Sequence, residues 1–171
     1  AMPDAVAANQ VKIKADEAIN KLDSVGGVIE CVVNGLPAGI GEPVFDKLDA
    51  RLSQAIMSIG AVKAVEIGDG VAVADSFGTT NNDSFHYNED GELIKLTNHA
   101  GGILGGISDG SDIILRATVK PTPSIYSSQD TVNKAGENIS IQIKGRHDPI
   151  IVPRAVVVVE AMTAITILDS L

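Results

Sequence analysis

Ile113-Ile114-Leu115-Arg116-Ala117-Thr118-Val119, with Lys120-Pro121-Thr122-Pro123 directly behind it, is the stretch on which the fold turns. Ile113, Leu115, Ala117 and Val119 alternate with Ile114, Arg116 and Thr118, the period-two pattern of a half-buried strand. Pro121 and Pro123 cannot donate to a ladder and end it at once. Ile139, Ile141 and Ile143 alternate with Ser140, Gln142 and Lys144 in the same way, which predicts a second half-buried strand. Val28 to Val33 is a β-branched run, and Val62 to Ile67 alternates into the turn Gly68-Asp69-Gly70. Between these lie helical patterns. One opens at Pro3-Asp4, carries Val11, Ala15, Ala18, Ile19 and Leu22, and is expected to stop at Gly26-Gly27. A second stripe, Phe45, Leu48, Leu52, Ile56 and Ile59, ends at Gly60. A third helix begins near Pro153 and is apolar almost all round from Val156 to Leu168, so it belongs between two layers. Helices separated by strands of mostly antiparallel pattern predict an α+β sandwich, and residues 1–171 are expected to form a single domain.

Composition narrows the function. The 171 residues are 44% hydrophobic and 20% charged, a globular balance that argues against both disorder and a membrane protein. The one apolar tail, Val152 to Leu168, contains Arg154 and Glu160 and is short for a bilayer crossing. A net charge of −9 and only 3% aromatic residues disfavour nucleic acid, which wants cationic surface and stacking platforms. The charge is uneven: Ile113 to Arg154 holds six basic residues against three acids, a pattern suited to one small anionic ligand. The single Cys31 sits in an apolar run and reads as a core residue in a reducing compartment, the cytosol by default. Three scattered histidines offer no metal-ligand spacing.

Three segments bear chemistry. Lys144-Gly145-Arg146-His147-Asp148-Pro149 places base, imidazole and acid together between a strand and the apolar helix; Asp148 is there either as a base or as the counterion of Arg146. Asn98-His99-Ala100-Gly101-Gly102-Ile103-Leu104-Gly105-Gly106 either lets a flat ligand or phosphate approach the backbone or serves turn geometry alone. Lys120-Pro121-Thr122-Pro123-Ser124 holds a cation and two hydroxyls on a stiff backbone, as an anion grip or as a strand exit. From Ser76 to Asn88 the chain is polar and reads as an exposed excursion, with a hairpin turn at Asn88-Glu89-Asp90-Gly91.

Asp23-Ser24-Val25-Gly26-Gly27, Gly41 through Leu48, Val62 through Gly68, Asn98 through Gly106, Lys120 through Ser124 and Gly145 through Pro149 occur in one order. In that order the chain resembles the C-terminal part of chorismate synthase, whose fold is a β-α-β sandwich, here partial. The resemblance implies elimination of phosphate in trans-1,4 geometry from 5-enolpyruvylshikimate 3-phosphate, giving chorismate, with reduced FMN as a cofactor not consumed overall. It implies FMN contacts at Gly60, Ala61, Gly105, Lys120, Pro121, Thr122, Pro123 and Ser124, Arg146 at flavin and substrate, and Asp148 as the carboxylate that manages a proton. His147 and Arg154 match motif residues without an assigned role, and Ile150 stands where many members have Cys. It further implies a cytoplasmic homo-oligomer, typically a tetramer. A Ser-Gly-His segment, a second catalytic histidine and an Arg-Ser-Ser-Ala segment of the family lie outside this sequence, so the segment alone is expected not to turn over. Two other readings stand beside this one: a non-catalytic assembly or flavin-binding module that needs a partner half, and a flavin reductase recycling FMN with NADPH, against which no nicotinamide fingerprint is found.

Overall fold

The computed structural model describes Met2 and residues 4–171; Pro3, expected at the head of the first helix, lies outside the described residues. In chain order the elements are α1 (Ala5–Asn20), β1 (Gly27–Val33), α2 (Leu48–Met57), β2 (Val62–Ile67), a 3₁₀ turn (Gly70–Asp75), α3 (Gly78–Asn81), β3 (Phe85–Tyr87), β4 (Leu93–Lys95), β5 (Ile103–Leu104), β6 (Ile107–Ser108), β7 (Ile113–Val119), β8 (Gln129–Val132), β9 (Asn138–Ile141) and α4 (Val152–Leu168). Helices and antiparallel sheet are mixed, as the α+β reading requires.

The strand read first, β7, is the centre of the main sheet, which has the order β1-β7-β2 with both pairings antiparallel. Its alternation is realised residue by residue. Ile113, Leu115, Ala117 and Val119 are buried, and Ile114, Arg116 and Thr118 are half-buried on the other face. The buried face receives α2 through Leu48, Leu52 and Ile56, all fully buried, and α4 through Val159 and Ile167. Burying three such side chains stabilises the packing by about 1.5–3 kcal/mol each before entropy is counted. Phe45 does not join that stripe. It is 90% exposed, because α2 begins only at Leu48 and the residues before it are held in a tight loop by Glu42 N–H donating to Asp46 O.

The first helix is capped by Asp4, whose carboxylate accepts from the amides of Val6 and Ala7 at 2.8 and 3.2 Å. It ends earlier than the glycines predict. Leu22 itself turns left-handed, with φ 57°, and Gly26 and Gly27 are glycine for another reason. A Cβ on Gly26 would lie 2.4 Å from Val119 O, and one on Gly27 would lie 3.1 Å from Val152 Cγ2, so the chain passes too close to β7 and α4 for a side chain.

Helix α4 is covered on one side only. Val159, Thr163, Thr166 and Ile167 are buried, whereas Val157, Val158, Ile165 and Leu168 are exposed, so of the two layers its composition predicts one is present. The strand predicted over Ile139–Ile143 also differs. Its residues Asn138–Ile141 form β9, which pairs only with β8 and is exposed along its whole length. Alternation there reports a two-stranded ribbon with no third element packed on it. The hairpin turn at Asn88–Gly91 connects β3 to β4 as predicted. No helix among the described residues is long and apolar enough to cross a membrane.

Candidate functional site

Two of the three chemistry-bearing segments meet. Lys120 leaves β7 with its amide donating to Ala61 O at 2.9 Å, so Gly60-Ala61 and the proline-stiffened turn are neighbours. Ser24 is buried, and its hydroxyl donates to Thr122 O at 2.6 Å. The next residue, Val25, donates its amide to Pro149 O at 2.8 Å and pairs with Ile150 in a short parallel bridge. The segment Leu22–Gly26 thus touches the turn and the Arg146–Pro149 corner together. Between them is a cavity of about 120 Å³, walled by Leu22, Ser24, Ser124, Tyr126, His147 and Asp148. Tyr126 closes its rim: the hydroxyl donates to Gly145 O, and the ring meets His147 edge-on, centroids 5.0 Å apart.

The electrostatics differ from what proximity in sequence suggests. Asp148 pairs with Arg154 of the first turn of α4, at 3.0 Å, and not with Arg146 two residues before it. Arg146 and Lys120 are exposed and have no carboxylate partner among the described residues. Arg116, also within the cationic stretch, is used internally, by Glu30 at 2.8 Å and Gly68 O at 2.6 Å. Two buried polar atoms here have no hydrogen-bond partner, Thr122 Oγ1 and His147 Nε2. Buried groups of that kind are costly to leave unpaired; of the two, His147 belongs to the cavity wall.

The glycine-rich segment stands apart. Gly105 and Gly106, with φ 61° and 89°, make the two-residue turn between β5 and β6. Leu48 donates its amide to Gly106 O, which fixes this hairpin at the start of α2, whereas Gly60-Ala61 follows its end, about 15 Å further along a ten-residue helix. The three loops therefore line no common cavity among the described residues: the glycine pairs join β7 at its beginning and the proline turn leaves it at its end. The amides a phosphate would use on this loop are already engaged. His99 and Ala100 donate to the Asp83 carboxylate at 2.8 and 3.0 Å, and Thr97 adds its hydroxyl at 2.7 Å. Gly101 serves a backbone crossing, since a Cβ there would lie 2.3 Å from Gly68 N, while around Gly105 nothing lies within 4 Å of that position.

Asp83 belongs to a cluster the sequence did not disclose. Lys95 Nζ lies 2.6 Å from Asp109 and 3.3 Å from Asp83, with side chains 4%, 7% and 1% exposed. Burial pushes the Asp83 carboxyl up, yet the donors of Ala100, Thr97 and His99 and the Lys95 charge outweigh it and hold the group well below the ordinary aspartate range. Asp109 is lowered in the same way, against burial, by Lys95 and Ser111. The excursion read as wholly exposed is thus anchored at one buried carboxylate. A wider hollow of about 560 Å³ is lined by Lys95 and Asp109 of this cluster and touches the glycine-rich segment only at Asn98. The only sequence signal was three charges in a polar tract, which by itself reads as solvated surface.

The family model for chorismate synthase matches residues 1–171. Curated proteins named chorismate synthase are similar: that of Lachnoclostridium phytofermentans is 65% identical over 99% of this chain and 46% of its own length, and that of Agathobacter rectalis is 62% identical over the same shares. The protein of that name from the archaeon Methanocaldococcus jannaschii is 53% identical over 90% of the chain and 41% of its own. A solved crystal structure of chorismate synthase superposes with a TM-score of 0.75 at 33% identity, covering 95% of this chain and 41% of that one. The chain spans about half the length of the curated relatives it matches.

Proposed function

Since the chain belongs to the chorismate synthase family, we propose that it carries part of the active site of a lyase converting 5-enolpyruvylshikimate 3-phosphate to chorismate with reduced FMN. In that reaction the C–O bond to phosphate and a ring C–H bond break on opposite faces, a conjugated diene forms, and no net oxidation occurs. The observation that supports it best is the meeting of the Lys120–Ser124 turn with the Arg146–Asp148 corner around two unpartnered buried polar atoms.

The donor set suits the anionic and polar groups of a flavin mononucleotide and a phosphorylated diacid, of which the 120 Å³ cavity in this chain would enclose only a part. Among the described residues Lys120 and Arg146 have no carboxylate partner, which suits them to anionic oxygens, and Thr122 Oγ1 and His147 Nε2 have no hydrogen-bond partner. Gly60, Ala61, Lys120, Pro121, Thr122, Pro123, Ser124 and Arg146 would hold the flavin, and Gly105 would reach it from the β5–β6 hairpin at the start of α2. Reduced FMN held by these residues would supply the electron-donating chemistry that the loss of phosphate calls for. The chain's own part is orientation and proton handling. Prolines on either side of Thr122 fix its backbone, Arg146 would orient an anionic group, and Asp148, held by Arg154, would take up and return the proton carried at the flavin nitrogen, so that it is unchanged over a turnover.

The decisive assay uses the full-length protein under anaerobic conditions. Asp148→Asn is expected to lower kcat about 100-fold or more, and Arg146→Gln to weaken substrate and flavin binding. Turnover by Asp148→Asn within threefold of the parent refutes the reading. A second reading, an assembly module that works only with the remainder of the protein, is favoured by the bare α4 face of Val157, Val158, Ile165 and Leu168. In either case we take the working enzyme to be a cytoplasmic homo-oligomer.

A further inference from the structure

We propose that Ser24 is a positioning residue for the candidate site: through one side-chain and one neighbouring backbone hydrogen bond it sets the spacing between the Lys120–Ser124 turn and the Arg146–Asp148 corner. The proposal rests on the functional reading above for its effect on ligands, and on geometry alone for its effect on the loops.

The turn cannot anchor itself. Pro121 and Pro123 have no amide hydrogens, so the segment has few donors of its own with which to brace its peptide planes. The Thr122 carbonyl is fixed from outside, by Ser24 Oγ at 2.6 Å. That bond holds the Thr122–Pro123 peptide plane beside the buried Thr122 hydroxyl, which has no partner of its own among the described residues. One residue on, Val25 N–H holds Pro149 O at 2.8 Å, next to Asp148. One residue further, Gly26 lies so close to β7 that a Cβ would meet Val119 O at 2.4 Å and Pro121 N at 3.1 Å, which leaves the segment no room to slide. Three consecutive residues therefore clasp the turn, the corner and the strand before the turn. On the far side Tyr126 ties to Gly145 O, and Ser127 donates its amide and hydroxyl to Leu22 O at 3.1 and 3.0 Å; Ser24 adds the bond that reaches the Thr122 carbonyl itself. Ser24 is also buried, so removing its hydroxyl leaves the Thr122 carbonyl without its protein donor in a largely enclosed place.

The test compares Ser24→Ala and Ser24→Thr in the full-length protein with Thr166→Val, which loses a buried hydroxyl on α4 that bonds Met162 O at 2.7 Å, away from the site. Ser24→Ala is expected to weaken FMN affinity, read by flavin fluorescence, about tenfold. It should also raise amide hydrogen exchange at residues 124–128 and 145–148 together. Ser24→Thr, which keeps a hydroxyl, restores most of both. Thr166→Val lowers the melting temperature of the ligand-free protein by a similar amount and changes neither readout. Unchanged exchange at either loop in Ser24→Ala overturns the proposal, as does an equal loss of flavin affinity in Thr166→Val. If the parent protein binds no FMN, the functional reading fails, and the exchange measurement still decides the role of Ser24.

Discussion

Replacing Lys95 with methionine keeps an apolar stem of similar length and deletes one buried charge. The ammonium sits 2.6 Å from Asp109 and 3.3 Å from Asp83, with all three side chains below a tenth exposed. Removing one partner from a buried ion pair costs about 3–5 kcal/mol, since the charge left behind keeps its desolvation penalty without its counterion. Two carboxylates are stranded in this case. Asp83 retains donors from Thr97, His99 and Ala100, and Asp109 retains the Ser111 amide, so the lower end, about 3 kcal/mol near neutral pH, is expected. The pH dependence gives the sharper signature. Protonation of either stranded carboxylate relieves the excess charge, so the deficit relative to the parent should narrow as pH falls toward about 4. Urea unfolding at several pH values, with matched m-values, measures it, and adding Asp109→Asn to the variant should recover part of the loss. A deficit below about 1 kcal/mol near neutral pH, or one that widens in acid, refutes the idea that this cluster is a buried, mutually dependent unit.

In the parent protein Asp83 has a folded-state pKa depressed from 3.8, so its contribution is complete above that value and is lost as pH falls below it; acid unfolding with no loss assignable to Asp83→Asn contradicts this. Gly101 and Gly105 have nearly equal φ, 63° and 61°, but only at Gly101 would a Cβ collide with backbone. Gly105→Ala should cost about 1–2 kcal/mol for the left-handed conformation alone. Gly101→Ala should cost more, by about 1–3 kcal/mol of steric displacement; equal shifts in melting temperature count against that difference.

What could be read from the sequence follows what periodicity reports. The pattern of β7 and the Leu48, Leu52, Ile56 stripe is a direct record of burial, and the structure buries those residues. The same rule misled at Ile139 and Ile141, since a solvent-exposed ribbon also alternates when each strand has one neighbour. Gly26 and Gly27 were identifiable as special, but chain punctuation and a close backbone approach leave the same letter. Around the site, adjacency suggested Arg146 as the partner of Asp148, whereas Pro149 and the start of α4 carry Arg154 back onto it. The Asp83, Lys95 and Asp109 cluster was out of reach because its members are separated by turns, and no local pattern says that three surface-type residues fold inward.

The Asp83 carboxylate seated on the His99 and Ala100 amides makes the glycine loop host to an anion that is part of the chain. A tethered guest is present at a high effective concentration, so free phosphate in the medium competes poorly for the same berth. Shielding from water also mutes the response to ionic strength. The arm from Gly78 to Lys95 is therefore moored by a bond that added salt or phosphate should disturb little.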